Sequence, residues 1–113
     1  MEPLHPGELT AKWEHNTLTR EDIALKCRKY AIEYSILVTE KEVTAMAFFL
    51  HRAMQKYHDP GMYIGEFVHA LAGDSINEAF MYADTTSKKV LYIYWMYFRN
   101  CVPGDWRQRL SRP

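Results

Sequence analysis

The sequence predicts an all-α fold, a compact bundle of about four to five helices with an irregular N-terminal arm. Three observations predict it. Helix-start signatures recur at Thr19 and Thr39. Apolar residues repeat behind them at three- and four-residue spacing. Pro60-Gly61 and Pro103-Gly104 then break the pattern.

Residues 1–18 lack periodicity and are punctuated by Pro3, Pro6 and Gly7, with Leu4, Leu9, Trp13 and Leu18 as scattered anchors. They read as an arm holding a short helical turn over Glu8–Glu14, and the Trp13 indole implies that the arm packs onto something. Residues 19–113 read as a single helical domain, since no repeat, low-complexity tract or linker divides them. Thr19 caps the first long helix, and Glu21 and Asp22 suit the positive end of its dipole. Its stripe is Ile23, Ala24, Cys27, Tyr30, Ala31 and Tyr34. Tyr30, Ile32, Tyr34, Ile36 and Val38 also alternate as a strand would, which leaves helix and strand open over 30–38, with length favouring helix.

Thr39 and Glu42 form a capping box, each able to satisfy a backbone donor beside the other. Val43, Met46, Ala47, Leu50, Ala53, Met54 and Tyr57 follow as one stripe, ended by His58-Asp59-Pro60-Gly61. A shorter helix carries Ile64, Phe67, Val68 and Leu71, with Gly73 beyond its end. Asp74 or Ser75 starts a brief helix burying Ile76, Ala79, Phe80 and Ala83. Asp84–Ser87 opens the last long helix, whose expected core stripe is Leu91, Tyr94, Trp95, Phe98 and Val102. Tyr92, Met96 and Tyr97 fall on its other faces.

At 48% hydrophobic and 14% aromatic residues, the 113-residue chain has ample material for a core and is unlike a disordered segment. Zero formal net charge gives no whole-protein attraction to nucleic acid or a membrane surface. The charge is unevenly spread: residues 1–19 carry −2, 20–57 carry +2, 58–98 carry −3 and 99–113 carry +3. The polar opening Met1–Gly7 is unlike a signal peptide, and the apolar run Val90–Phe98 is too short to span a bilayer, so the expected location is cytoplasmic. Cys27 and Cys101 lie far apart on apolar faces and read as buried free thiols.

Catalytic patterns are sparse. His51 and His58 share a helix face only if the helix reaches residue 58, with His69 and Asp59 as further donors. No i,i+4 histidine pair or cysteine pair prepares a metal site. Neither cysteine has a flanking nucleophile motif, and the glycines sit singly at turns rather than in a phosphate loop. The acidic pairs Glu21-Asp22 and Glu40/Glu42 are accounted for by capping. The reading is non-enzymatic, with no cofactor and no metal.

The aromatic surplus around the last helix is the remaining signal. Tyr92, Trp95, Met96, Tyr97, Arg99, Trp106, Arg107 and Arg109 are the candidate partner- or ligand-binding residues, because interfaces favour Tyr, Trp, Met and Arg. The same residues suit a homodimer contact. They also suit a pocket where tyrosines stack on a nucleobase and arginines hold phosphate. A nucleic-acid partner is disfavoured, since no basic recognition helix follows a helix-turn-helix pattern.

From Pro60-Gly61 the chain continues with Gly65–Leu71, Asp74–Ala79 and Ala83-Asp84. It closes with Ile93, Tyr97, Asn100, Pro103 and Trp106. In these residues it resembles a family of small phage and prophage helical proteins, over roughly the last 50 residues. Thr85-Thr86-Ser87 departs from that layout, where an asparagine is usual. The resemblance implies a phage accessory protein in the host cytoplasm and supplies no catalytic residue. It points to a host protein or complex as partner, for instance a bacterial defence system that the chain inhibits. Sequestration of a nucleotide signal is the alternative.

Overall fold

The structure, a computed structural model, describes residues 2–59, 61–62 and 90–110. They form five helices and no strand. These are α1 (Pro6–Glu14), α2 (Arg20–Glu33), α3 (Glu40–His58), α4 (Leu91–Asn100) and α5 (Trp106–Leu110). The two helices expected between Ile64 and Ala83, the start of the last helix at Asp84–Ser87, and most of the residues carrying the phage-family likeness lie outside the described residues.

Local chemistry explains the helix starts. Proline occupies the first turn of α1, where its missing N–H costs nothing. Thr19 Oγ1 accepts from the Asp22 N–H at 3.1 Å, and the Thr19 N–H donates to Asp22 Oδ2 at 3.3 Å. The same box closes α3: the Glu42 N–H reaches Thr39 Oγ1 at 3.1 Å and the Thr39 N–H reaches Glu42 Oε1 at 2.8 Å. α2 therefore has a full capping box, where the sequence pointed only to a threonine cap and a dipole effect.

The C-termini of α1 and α2 share one device. Asn16 and Ser35 sit in the left-handed region, both at φ 56°. The Thr17 N–H reaches back to the Lys12 carbonyl at 2.9 Å and the Asn16 N–H to the Trp13 carbonyl at 3.1 Å. Likewise the Ile36 N–H reaches Ala31 at 2.9 Å and the Ser35 N–H reaches Ile32 at 3.3 Å. These paired bonds satisfy carbonyls that a helix end leaves open. They settle residues 30–38: helix to Glu33, then an irregular turn into Thr39.

All seven residues of the α3 stripe are buried. α2 packs chiefly on α3, α4 on α2, and α5 on α3. The N-terminal segment joins the same core. The turn expected at Glu8–Glu14 begins at Pro6, and Leu9, Trp13 and Leu18 are buried. Trp13 meets Tyr57 edge-on at 6.0 Å and Phe98 at 6.3 Å, and Phe98 stacks on Trp106 at 4.6 Å. This aromatic chain ties α1, α3, α4 and α5 together.

On α4 the core face differs from the expected stripe. Ile93, Tyr94, Tyr97 and Phe98 are buried, whereas Leu91 and Trp95 are only partly so. A helix apolar around most of its circumference has a weak directional preference, so its neighbours decide which side turns inward.

Candidate partner-binding surface

Of the residues singled out near the last helix, the structure brings Trp95, Trp106 and Arg107 together and turns others inward. Tyr97 is fully buried and Trp106 is 7% exposed, so neither offers a surface to a partner. Tyr97 lies on the inward face of α4, and Trp106 is held by its stack on Phe98. Trp95 and Met96 are half-buried against the core. The Arg107 guanidinium lies 5.5 Å from the Trp95 ring and 5.2 Å from the Trp106 ring. Arg109 bonds Asp105 at 2.9 Å and covers the Tyr57 ring at 4.4 Å. Asp105 also accepts from Tyr57 Oη at 2.7 Å. That bond and the Arg109 guanidinium hold its carboxyl below the usual value, while burial and the same bond push the Tyr57 hydroxyl up to about 12. These contacts tie α5 to α3. Only Tyr92 and Arg99 of this set are exposed on α4.

The open surface lies instead along α2 and α3. The two helices form an antiparallel hairpin. Arg20, at the start of α2, stands 4.9 Å from the Phe48 ring, and Arg28, nearer its end, makes a two-pronged bond to Glu40 at 3.1 and 2.7 Å. Along this face runs a groove of about 680 Å³ lined by Ala24, Ala45, Phe48 and Phe49 among others, with Arg20, Arg28 and Lys41 at its edges. A second hollow of about 450 Å³, lined by Ala31, Ile32, Ile36, Leu37 and Val38, continues it past Arg28 to the inter-helix turn. None of the expected C-terminal residues lines either hollow.

The turn end is apolar and exposed. Leu37 is 85% and Ile32 80% exposed. Tyr34 and Tyr92, also exposed, meet edge-on at 5.0 Å and extend this surface onto α4. The other end is basic. Arg20 and Arg52 both lie over Phe48, at 4.9 and 5.7 Å. Lys26 and Lys56 are buried, so the cations of residues 20–57 that reach the surface are Arg20, Arg28, Lys29, Lys41 and Arg52, of which Arg28 pairs with Glu40 and Lys29 with Glu33. Ile32 and Phe48 had a sequence signal: both are large apolar residues off the stripes of their own helices.

Histidine and thiol chemistry is taken up by packing. His58 Nε2 lies 2.6 Å from the Trp13 carbonyl. Burial and the Arg20 charge lower the His51 pKa, against a hydrogen bond to the Leu18 backbone that raises it. Among the described residues no three His, Cys, Asp or Glu side chains converge as metal ligands, and His69 lies outside them. Cys27 and Cys101 are buried free thiols. Burial pushes Cys27 up to about 12 and Cys101 upward too, so both stay protonated near neutral pH. Tyr30 Oη lies 3.5 Å from Cys101 Sγ and accepts from Asn100 Nδ2 at 3.4 Å.

Among the described residues no helix is long and apolar enough to cross a membrane. The chain matches no protein-family model, and no curated protein or solved structure is significantly similar to it.

Proposed function

We propose that this chain is a non-enzymatic accessory protein that acts by docking the α2–α3 face onto another protein. The observation that carries this reading is the apolar end of that face, where Leu37 is 85% and Ile32 80% exposed beside Tyr34 and Tyr92. Exposed aliphatics at these levels gain nothing in the free chain. Grouped at the mouth of a groove, they gain about 25 cal/mol for each Å² a partner covers. The partner class is the one the phage-type likeness implies, a host protein or complex whose activity the chain modulates or inhibits. The neutral net charge agrees with recognition by a local surface rather than by a whole-protein field.

The test is a photo-crosslinking amino acid placed in turn at 32, 37 and the exposed control position Gly104 of the full chain, in host cells. One defined adduct at 32 and 37, absent at 104 and lost when Leu37→Asp accompanies the probe at 32, is expected. Equal labelling at all three positions, or none at 32 and 37, would overturn the proposal. Leu37→Asp is exposed and outside any helix, so its circular dichroism should match the parent.

A further inference from the structure

The groove has a direction and a charge pattern that narrow its occupant. Its floor is made of small and aromatic side chains, Ala24 and Ala45 beside Phe48 and Phe49, which leaves room for a rod laid between α2 and α3. Arg20 marks one end, while Arg28 and Lys41 mark the other. Glu21 is the acidic side chain along this stretch. Glu40, just outside it, is engaged by Arg28 at 2.7 Å. Arg20 and Arg52 converge on Phe48 and keep positive charge directly above the apolar floor.

Arg20 and Arg28 are eight residues apart on α2, which is about 12 Å along a helix axis. Two turns of a partner helix cover about 11 Å, so carboxylates at i and i+7 reach both ends of the groove. Apolar residues at i+3 and i+4 of the same helix then face the floor. A 14-residue α2 presents about 21 Å of groove wall, the length of roughly four helical turns.

We infer that the groove takes an acidic amphipathic helix of the partner protein, with carboxylates two turns apart meeting Arg20 at one end and Lys41, beside the Arg28–Glu40 pair, at the other. This rests on the reading of the α2–α3 face as a docking surface. Charge complementarity singles out this occupant: a basic helix would set like charges against Arg20 and Lys41, and a neutral one would leave the pattern unread.

The experiment uses the full chain and three labelled synthetic helices of about 16 residues, read by fluorescence anisotropy. The first has Glu at i and i+7 with Leu at i+3 and i+4. The second replaces both Glu by Lys, and the third scrambles the first. The Glu helix is expected to bind at least about tenfold more tightly than either other peptide, and to weaken from about 0.05 to about 0.5 M salt. With the R20E/K41E variant the preference should invert toward the Lys helix. Both substitutions lie in first helical turns, where a carboxylate favours the dipole, so the fold is retained.

Equal affinity for the Glu and Lys helices, no binding of the Glu helix, or a preference unmoved by R20E/K41E would overturn the inference. Concentration-dependent self-association abolished by R20E would overturn it as well, since the occupant would then be a second copy. If crosslinking at 32 and 37 succeeds while these peptides fail, the docking face stands and only the acidic occupant falls.

Discussion

Trp13→Ala tests whether the N-terminal segment is part of the core. Trp13 is 0% exposed and wedged edge-on between Tyr57 and Phe98. A buried tryptophan removes about 150–250 Å² from water. At about 25 cal/mol/Å² that corresponds to roughly 4–6 kcal/mol, of which alanine keeps a small part. Measured truncations of buried aromatics cost about 3–5 kcal/mol, because the surroundings collapse only partly. The hole opens between α1, α3 and α4, so Tyr57 and Phe98 both lose a partner. A loss of about 3–5 kcal/mol is a large share of the ~5–15 kcal/mol typical of a whole domain. Urea unfolding followed by far-ultraviolet circular dichroism reads it directly, with Tm lowered by about 10–20 °C. Glu8→Gln, exposed on the same helix, serves as control and should cost within about 0.5 kcal/mol. A Trp13→Ala loss below about 1 kcal/mol would show α1 to be a dispensable arm and refute the reasoning.

Ser35→Gly should stabilise the chain by about 0.5–1 kcal/mol, because glycine occupies the left-handed region without strain, less its larger unfolded-state entropy. Asn16→Gly should gain less, since asparagine tolerates that region, and equal gains in urea titrations would contradict this ranking. The depressed His51 pKa means the folded state holds its proton less tightly than the unfolded chain. Its contribution is full above the ordinary value of 6.5 and falls as pH drops through that value toward the folded pKa. The parent should therefore lose more stability between about pH 7 and pH 5 than His51→Gln, and parallel pH curves would count against it. Cys27 and Cys101 should react with a thiol reagent about a hundredfold more slowly in the native chain than in urea at neutral pH, and comparable rates would contradict their burial.

Local grammar was legible in the sequence. Thr39 and Glu42 announce α3 because a capping box needs only neighbouring residues, and its seven-residue stripe is buried as the spacing requires. The ends of α1 and α2 were harder to read, because Asn16 and Ser35 fill a position that glycine usually marks. Residues 30–38 showed two periodicities at once. The bond from the Ile36 N–H to the Ala31 carbonyl resolves them as a helix end and a turn.

The docking face was the least legible part. Composition drew attention to the aromatic α4, whose Tyr97 turns into the core and whose neighbour Trp106 is stacked on Phe98. Ile32 and Phe48 stood out only as apolar residues off the stripes of their helices, and Leu37 looked ordinary, until the hairpin placed them on one open side. The sequence by itself determined where α2 and α3 begin, which side of α3 is buried and the all-helical class, because each depends on residues within a turn or two. Only the tertiary structure decided which side of α4 faces inward, that Trp13 anchors the N-terminal segment, and that Arg20 and Arg28 share a groove with Phe48. Those outcomes depend on contacts between residues distant in the chain, and no local period records them.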